Sequence, residues 1–174
     1  MRVFTILSAL AVFALANPAP LGFEMGKATI DDVKAKYPIK YSRNNYKNDK
    51  TKIAIDTKDI ELDSLTKHEA KFFFDAQNKL FEVSLFFNKN KFNELLSSLS
   101  KKYKLIKKTT DEYGETFVEF EDGDCIIELG ALKQITRLFY TTKDAIKKRN
   151  KEYEEAVKKE NERKQRTKEN MKSL

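Results

Sequence analysis

Apolar and polar side chains alternate at period two through the middle of this chain, and that pattern demands antiparallel β-structure. Ile53 and Ile55 alternate with Lys52, Ala54 and Asp56, and Phe72 and Phe74 alternate with Lys71, Phe73 and Asp75. Ala76-Gln77-Asn78-Lys79 then supplies a hairpin loop, and Phe81, Val83, Leu85 and Phe87 return on the next strand. Later, Val118 and Phe120 alternate with Phe117, Glu119 and Glu121, and Asp122-Gly123 turns the chain into a strand carrying Cys125, Ile127 and Leu129. Ile135, Arg137 and Phe139 alternate with Thr136, Leu138 and Tyr140 on the last strand. Successive strand side chains point to opposite faces, so each run has one face to bury and another for solvent or a partner.

Two segments have the helical period instead. Thr29 is a good N-cap, Asp31 and Asp32 suit the positive end of the helix dipole, and Ile30, Val33 and Tyr37 follow before Pro38 stops the helix. Phe92, Leu95, Leu96, Leu99 and Tyr103 form one apolar stripe, with Asn90 placed to cap it. Leu21 to Met25 reads as a short edge strand after an extended Asn17-Pro18-Ala19-Pro20 leader.

These elements suggest an internal duplication. One helix ends Ala35-Lys36-Tyr37 and the other Lys101-Lys102-Tyr103; tyrosines follow at Tyr46 and Tyr113. Ile60-Glu61-Leu62-Asp63-Ser64-Leu65 then matches Ile127-Glu128-Leu129-Gly130-Ala131-Leu132, 23 residues after Tyr37 and 24 after Tyr103. On this reading the first copy has an extra strand, Ala70 to Asp75, that the second lacks. The expected fold is α+β: two helix-plus-antiparallel-meander repeats, approximately residues 21–88 and 89–142, joined in one sheet with both helices on one face.

Residues 1–16 read as a secretory signal peptide. Met1-Arg2 is a short positive start, Val3 to Ala16 is almost unbroken apolar sequence, and Ala14-Leu15-Ala16 is a small-x-small cleavage site. The run is shorter than the roughly 20 residues of a membrane span. Residues 17–142 then form a single domain, and the protein is expected in the periplasm or fully secreted.

The net charge of +7 is concentrated at one end. Residues 143–174 hold twelve Lys/Arg against seven Asp/Glu, whereas residues 17–142 hold twenty-one against twenty. Ile146, Tyr153 and Val157 give the tail a thin apolar stripe, and Glu154–Lys158, Glu155–Lys159, Glu160–Lys164 and Glu162–Arg166 are i,i+4 pairs in the favourable order. A charged C-terminal helix is expected over 143–174, docked at its beginning and solvated beyond. Its interleaved acids and scarce aromatics argue against nucleic acid, and a weak contact with an anionic surface is the alternative role for it.

Residue types that perform chemistry are scarce. There is one histidine, His68, in a polar approach to a strand, and one cysteine, Cys125, whose alternation with Ile127 and Leu129 makes it a small core residue. Five glycines form neither a phosphate loop nor a Gly-x-Ser-x-Gly elbow. Asp122-Gly123-Asp124 is a fragment of a calcium loop without the downstream glutamate. Glu119 and Glu121 could be written as a carboxylate pair, but alternation gives them an ordinary solvent face. The expectation is a non-enzyme without metal or cofactor.

Gly22-Phe23-Glu24-Met25-Gly26-Lys27-Ala28-Thr29-Ile30-Asp31-Asp32-Val33 resembles the G-(K/M)-(S/T)-x-x-x-V helix start of small exported bacterial proteins. These include SmpA/OmlA outer-membrane assembly lipoproteins, the two-repeat β-lactamase-inhibitor-like fold, and other exported bacterial proteins with the same opening. The chain departs from the lipoproteins in having no lipidation cysteine after the signal segment. The resemblance implies a fold and protein binding in the cell envelope; it carries over no binding residue.

With both helices on one face, the other face is expected to present Phe73, Leu80, Phe86, Leu138 and Tyr140 beside Glu82, Glu119 and Glu128. Large apolar side chains on an open face mark an interaction surface. The expected function is an exported binding protein of the bacterial envelope that recognises a protein partner through this face.

Overall fold

The computed structural model describes residues 17–46, 50–60 and 69–172. The expected leader over residues 1–16, and His68, lie outside the described residues.

The chain enters through a 3-10 turn over Pro20–Gly22 rather than the expected edge strand. Positive φ values at Leu21 (57°) and Gly22 (87°) break the extended conformation there. The leader is not a solvated arm either: Pro18, Pro20, Phe23 and Met25 are buried. Helix α1 (Ile30–Lys36) begins with a full capping box, in which Thr29 and Asp32 satisfy each other's backbone N–H groups. That hydrogen bonding from Thr29 holds the Asp32 carboxyl below its usual range.

Strands β1 (Ile39–Tyr46), β2 (Lys50–Ile55), β3 (Ala70–Phe74) and β4 (Leu80–Asn88) form a meander. Helix α2 (Phe92–Lys102) follows a 3-10 turn over Lys89–Lys91. That turn moves the helix start past Asn90, so the expected Asn90 cap does not form; α2 has no side-chain cap and opens on a Lys91–Glu94 ion pair of 2.7 Å. Strands β5 (Lys104–Thr110), β6 (Thr116–Asp122), β7 (Cys125–Ala131) and β8 (Ile135–Thr142) make a second meander, and α3 (Lys143–Lys172) ends the chain.

All pairings are antiparallel, in the order β1-β2-β3-β4-β8-β7-β6-β5. The two meanders join through β4 and β8, registered from Glu82–Thr141 to Asn88–Ile135. Each half therefore runs helix, then four strands. The second half does not lack a strand: β5, which carries no apolar alternation, is its fourth. Tyr37 and Tyr103 do close equivalent helices, α1 and α2. Ile60 and Ile127 are not equivalent, because Ile60 follows β2 and a short 3-10 turn, whereas Ile127 lies within β7.

Helices α1 and α2 cover the same face of the sheet and enclose one core. Its central row crosses the sheet through Ile53, Phe72, Val83, Tyr140, Ile127 and Phe120. A parallel row is Leu85, Leu138, Leu129 and Val118. Val33 of α1 and Leu99 of α2 seal it, and Phe23 packs edge-on against Phe72 at 5.7 Å. Each fully buried Phe or Leu contributes roughly 1.5–3 kcal/mol of transfer free energy.

Candidate functional site

The face opposite α1 and α2 is the candidate site, and cross-strand registration decides what it presents. One row runs Lys52, Phe73, Glu82, Thr141, Ile126 and Glu121. The next runs Tyr41, Ala54, Lys71, Ser84, Phe139, Glu128, Glu119 and Lys107. A third, shorter row is Phe86, Arg137, Gly130 and Phe117. A solvent face of an antiparallel sheet is ordinarily polar. This one carries half-buried rings at Phe73, Phe86, Phe117 and Phe139, interleaved with charges of both signs.

Of the five residues expected on this face, Phe73 and Phe86 lie there. Leu80, Leu138 and Tyr140 do not: they are 0%, 3% and 7% exposed, on the covered face. Leu80 is turned inward by a register shift between β3 and β4, where Phe73 pairs with Glu82 but Phe74 pairs with Leu80. The extra residue, Phe81, takes up the bulge and stands 6.3 Å from Phe73. Leu138 and Tyr140 face inward because β8 lies between β4 and β7, where Leu138 sits opposite both Leu85 and Leu129. Burial, and the neighbouring Tyr103, whose ring centre lies 6.4 Å from that of Tyr140, push the Tyr140 phenol up.

Phe117, Phe139 and Arg137 are the members that the alternation argument missed. The signal was present: an arginine between Ile135 and Phe139 is costly to bury, so that side of β8 must face outward. The Arg137 guanidinium stands 5.0 Å from the Phe117 ring centre and 5.2 Å from that of Phe139. It is paired with Glu128 on the neighbouring strand. Phe139 meets Phe86 edge-to-face at 5.8 Å. Lys71 lies over Phe86 at 5.9 Å, and Lys52 lies between Tyr41 at 5.2 Å and Phe73 at 5.9 Å. Each such pair is worth about 0.5–1 kcal/mol at an exposed site, and each fixes a ring that would otherwise rotate freely.

Helix α3 touches only one corner of this face. Thr142 caps it, its Oγ1 accepting from the Ala145 N–H at 3.3 Å. Lys143 anchors its root: the backbone N–H donates to the Asp124 carbonyl at 2.7 Å, and Nζ donates to the Gly123 carbonyl at 2.9 Å and to Glu121. Two turns on, Arg149 reaches Glu82 at 3.7 Å. Between α3 and the sheet lies a cleft of about 220 Å³ lined by Lys50, Phe73, Phe81, Glu82, Thr141, Ala145 and Arg149. Burial raises the Glu82 carboxyl above its ordinary value despite Arg149. Beyond that point α3 leaves the body, with Tyr153 and Val157 exposed. Among the described residues, no helix is long and apolar enough to cross a membrane.

The acidic stretch has structural partners. Asp111 Oδ1 accepts from the N–H groups of Tyr113 and Glu115 and closes the β5–β6 hairpin; Glu121 pairs with Lys104 and Lys143. Asp75 closes the β3–β4 hairpin the same way through Gln77 and Lys79. Cys125 is fully buried, and its thiol is pushed up to about 12 by burial and by Asp124 and Asp122. A thiol held so high presents no thiolate at neutral pH.

The chain matches no family model, no curated protein and no solved structure, so the reading of its function rests on this geometry.

Proposed function

We propose that the protein is a non-catalytic binding module that receives a protein partner on the outer face of its sheet. The observation that carries this is the ring-and-cation lattice of Phe73, Phe86, Phe139, Phe117, Lys52, Lys71 and Arg137, which α3 leaves largely uncovered. Aromatic rings and arginine are the side chains that dominate the energetic centres of protein interfaces. Rings already oriented by cations lose little further freedom on binding. The flanking Glu119, Glu128 and Lys107 supply a polar rim of both signs. The signal-like pattern of residues 1–16 supports a partner met in a bacterial cell envelope or outside the cell.

The test is to capture a partner from envelope extract on the immobilised protein and then measure the purified pair. Phe86→Asp and Phe139→Asp are each expected to weaken binding about 100-fold, as loss of a central aromatic anchor does. Retention of full affinity by both variants, with the sheet shown to be folded by circular dichroism, overturns the proposal.

The projecting half of α3 supports a second reading, attachment to an anionic surface. Tyr153 and Val157 stand exposed one turn apart on a helix with twelve cations and seven anions over residues 143–174. Release from the envelope by salt, and by truncation after Lys151, would favour it; binding that ignores both would exclude it.

A further inference from the structure

The sheet has an open end at β5. This strand is last in the sheet order and, among the described residues, pairs only with β6, so one whole side of its backbone is unpaired within the described sheet. All seven of its residues are exposed. The central core row continues onto it, Phe120 facing Leu105, yet Leu105 is 53% exposed and Ile106 is 47% exposed. Helix α2 packs on β6 and β7 and stops short of this edge. Among the described residues, three of the five exposed large hydrophobics (Leu105, Ile106 and Tyr113) belong to this strand and its hairpin. The core is left unfinished there by one strand.

The charge on this edge says what completes it. Lys101, Lys102, Lys104, Lys107 and Lys108 lie within eight residues. Glu121 engages Lys104, but Lys101, Lys107 and Lys108 have no ion pair among the described residues. Edge lysines prevent sheets from joining edge to edge, and a second copy of β5 laid against this one would oppose lysine with lysine. The same lysines attract a strand of the opposite sign. The other edge, β1, carries two register shifts, against one on β5 between Leu105 and Lys107, and is the poorer template.

We propose that β5 accepts an extended acidic segment of another protein as a ninth strand. Its backbone hydrogen-bonds to the free side of β5, an apolar residue on the core side covers Leu105, and its carboxylates on the other side meet Lys107, with Lys108 adding positive charge from the core side. This is strand addition, in which main-chain bonds supply affinity and alternate side chains supply specificity. It uses none of the rings of the outer-face reading and shares with it only Lys107, at that face's rim.

The probe is a labelled synthetic peptide alternating glutamate with valine or isoleucine, tested against the full chain by fluorescence anisotropy. Two control peptides accompany it: the same sequence N-methylated at alternate residues, and a lysine-for-glutamate version. Expected are saturable binding of the acidic peptide, loss of binding by both controls, and slowed hydrogen exchange over residues 104–110. The double variant Lys107→Glu/Lys108→Glu should weaken binding about tenfold or more, whereas Phe86→Asp should leave it unchanged. Equal binding of the N-methylated peptide would reduce the edge to a charge attraction and overturn strand addition. Absence of binding, or protection confined to other strands, would overturn it as well.

Discussion

Gly130 lies directly across from Arg137 on the outer face, and a Cβ at Gly130 would stand 3.0 Å from both Cγ and Nε of Arg137. The missing side chain is what lets the guanidinium lie flat between Phe117 and Phe139. The same hypothetical Cβ would come 3.3 Å from the Phe117 ring, so both neighbours depend on that space. Gly130→Ala should therefore displace Arg137 and cost about 1–3 kcal/mol through overpacking. In Arg137→Ala the penalty should largely vanish, because the clashing atoms are gone. Urea denaturation of the two single variants and the double variant reads this directly as a coupling energy.

Neighbours along one strand should respond in opposite ways. Phe72 is fully buried and Phe73 is on the outer face, so Phe72→Ala should cost about 3–5 kcal/mol and Phe73→Ala less than about 1. On β8, Leu138→Asp should prevent folding while Phe139→Asp leaves a folded protein. Denaturation midpoints and near-ultraviolet circular dichroism distinguish the two, and a reversed result would invert the faces of the sheet.

The two carboxylates at the root of α3 should bend the pH–stability curve in opposite directions. Burial raises Glu82 above its ordinary 4.5, so the native state holds that proton more tightly than the unfolded chain does. Its contribution is present below pH 4.5 and is lost as pH rises through the folded value. Glu121 is lowered by its hydrogen bond to Lys143, so its contribution is present above its ordinary 4.5 and is lost as pH falls through the folded value. Glu82→Gln should therefore raise stability at neutral pH relative to acid, and Glu121→Gln should lower it. Thermal midpoints of the three proteins between about pH 3 and 7 test the signs.

Cys125 should resist thiol reagents until the protein unfolds. It is fully buried, and burial raises its thiol to about 12. Labelling by a chromogenic disulfide at neutral pH should follow the urea unfolding curve, with essentially no reaction in the native state. Rapid labelling of the folded protein would place Cys125 at the surface.

The hairpin at Gly123 should tolerate no side chain. Its φ is +53°, and a Cβ there would come 2.5 Å from the Asn17 Oδ1 that accepts from the Asp124 N–H. Gly123→Ala should cost about 1–3 kcal/mol and should also loosen residues 17–25. Hydrogen exchange at the Met25 N–H, which is bonded to Pro18, reports that loosening separately from global stability.

Much of the fold was legible locally. Thr29 and Asp32 announced α1, the stripe from Phe92 to Tyr103 announced α2, and the pairs around Phe72, Val83, Val118 and Ile127 announced inner strands. The edge strands were harder to see. Lys104-Leu105-Ile106-Lys107-Lys108-Thr109-Thr110 has no alternation because neither of its faces is fully covered, so selection for an apolar side is weak there. The candidate site was half legible. Phe73 and Phe86 were placed correctly by counting along their strands, whereas Leu80 was misplaced by a bulge that inserts one residue and reverses parity.

The chain's own periodicity determined that it forms sheet and helices, where α1 begins, and that one face of the sheet is apolar. Arg137 was the sequence's one hint to which side of β8 is inside; pairing with β4 and β7 decided it, because Ile135 and Phe139 alternate with Leu138 and Tyr140 and both sets are apolar. A strand's local sequence fixes only that its side chains alternate; the phase is set by the partners it pairs with. Leu85 and Leu129 flank Leu138 from β4 and β7, and the opposite phase would turn Arg137 into the core in its place.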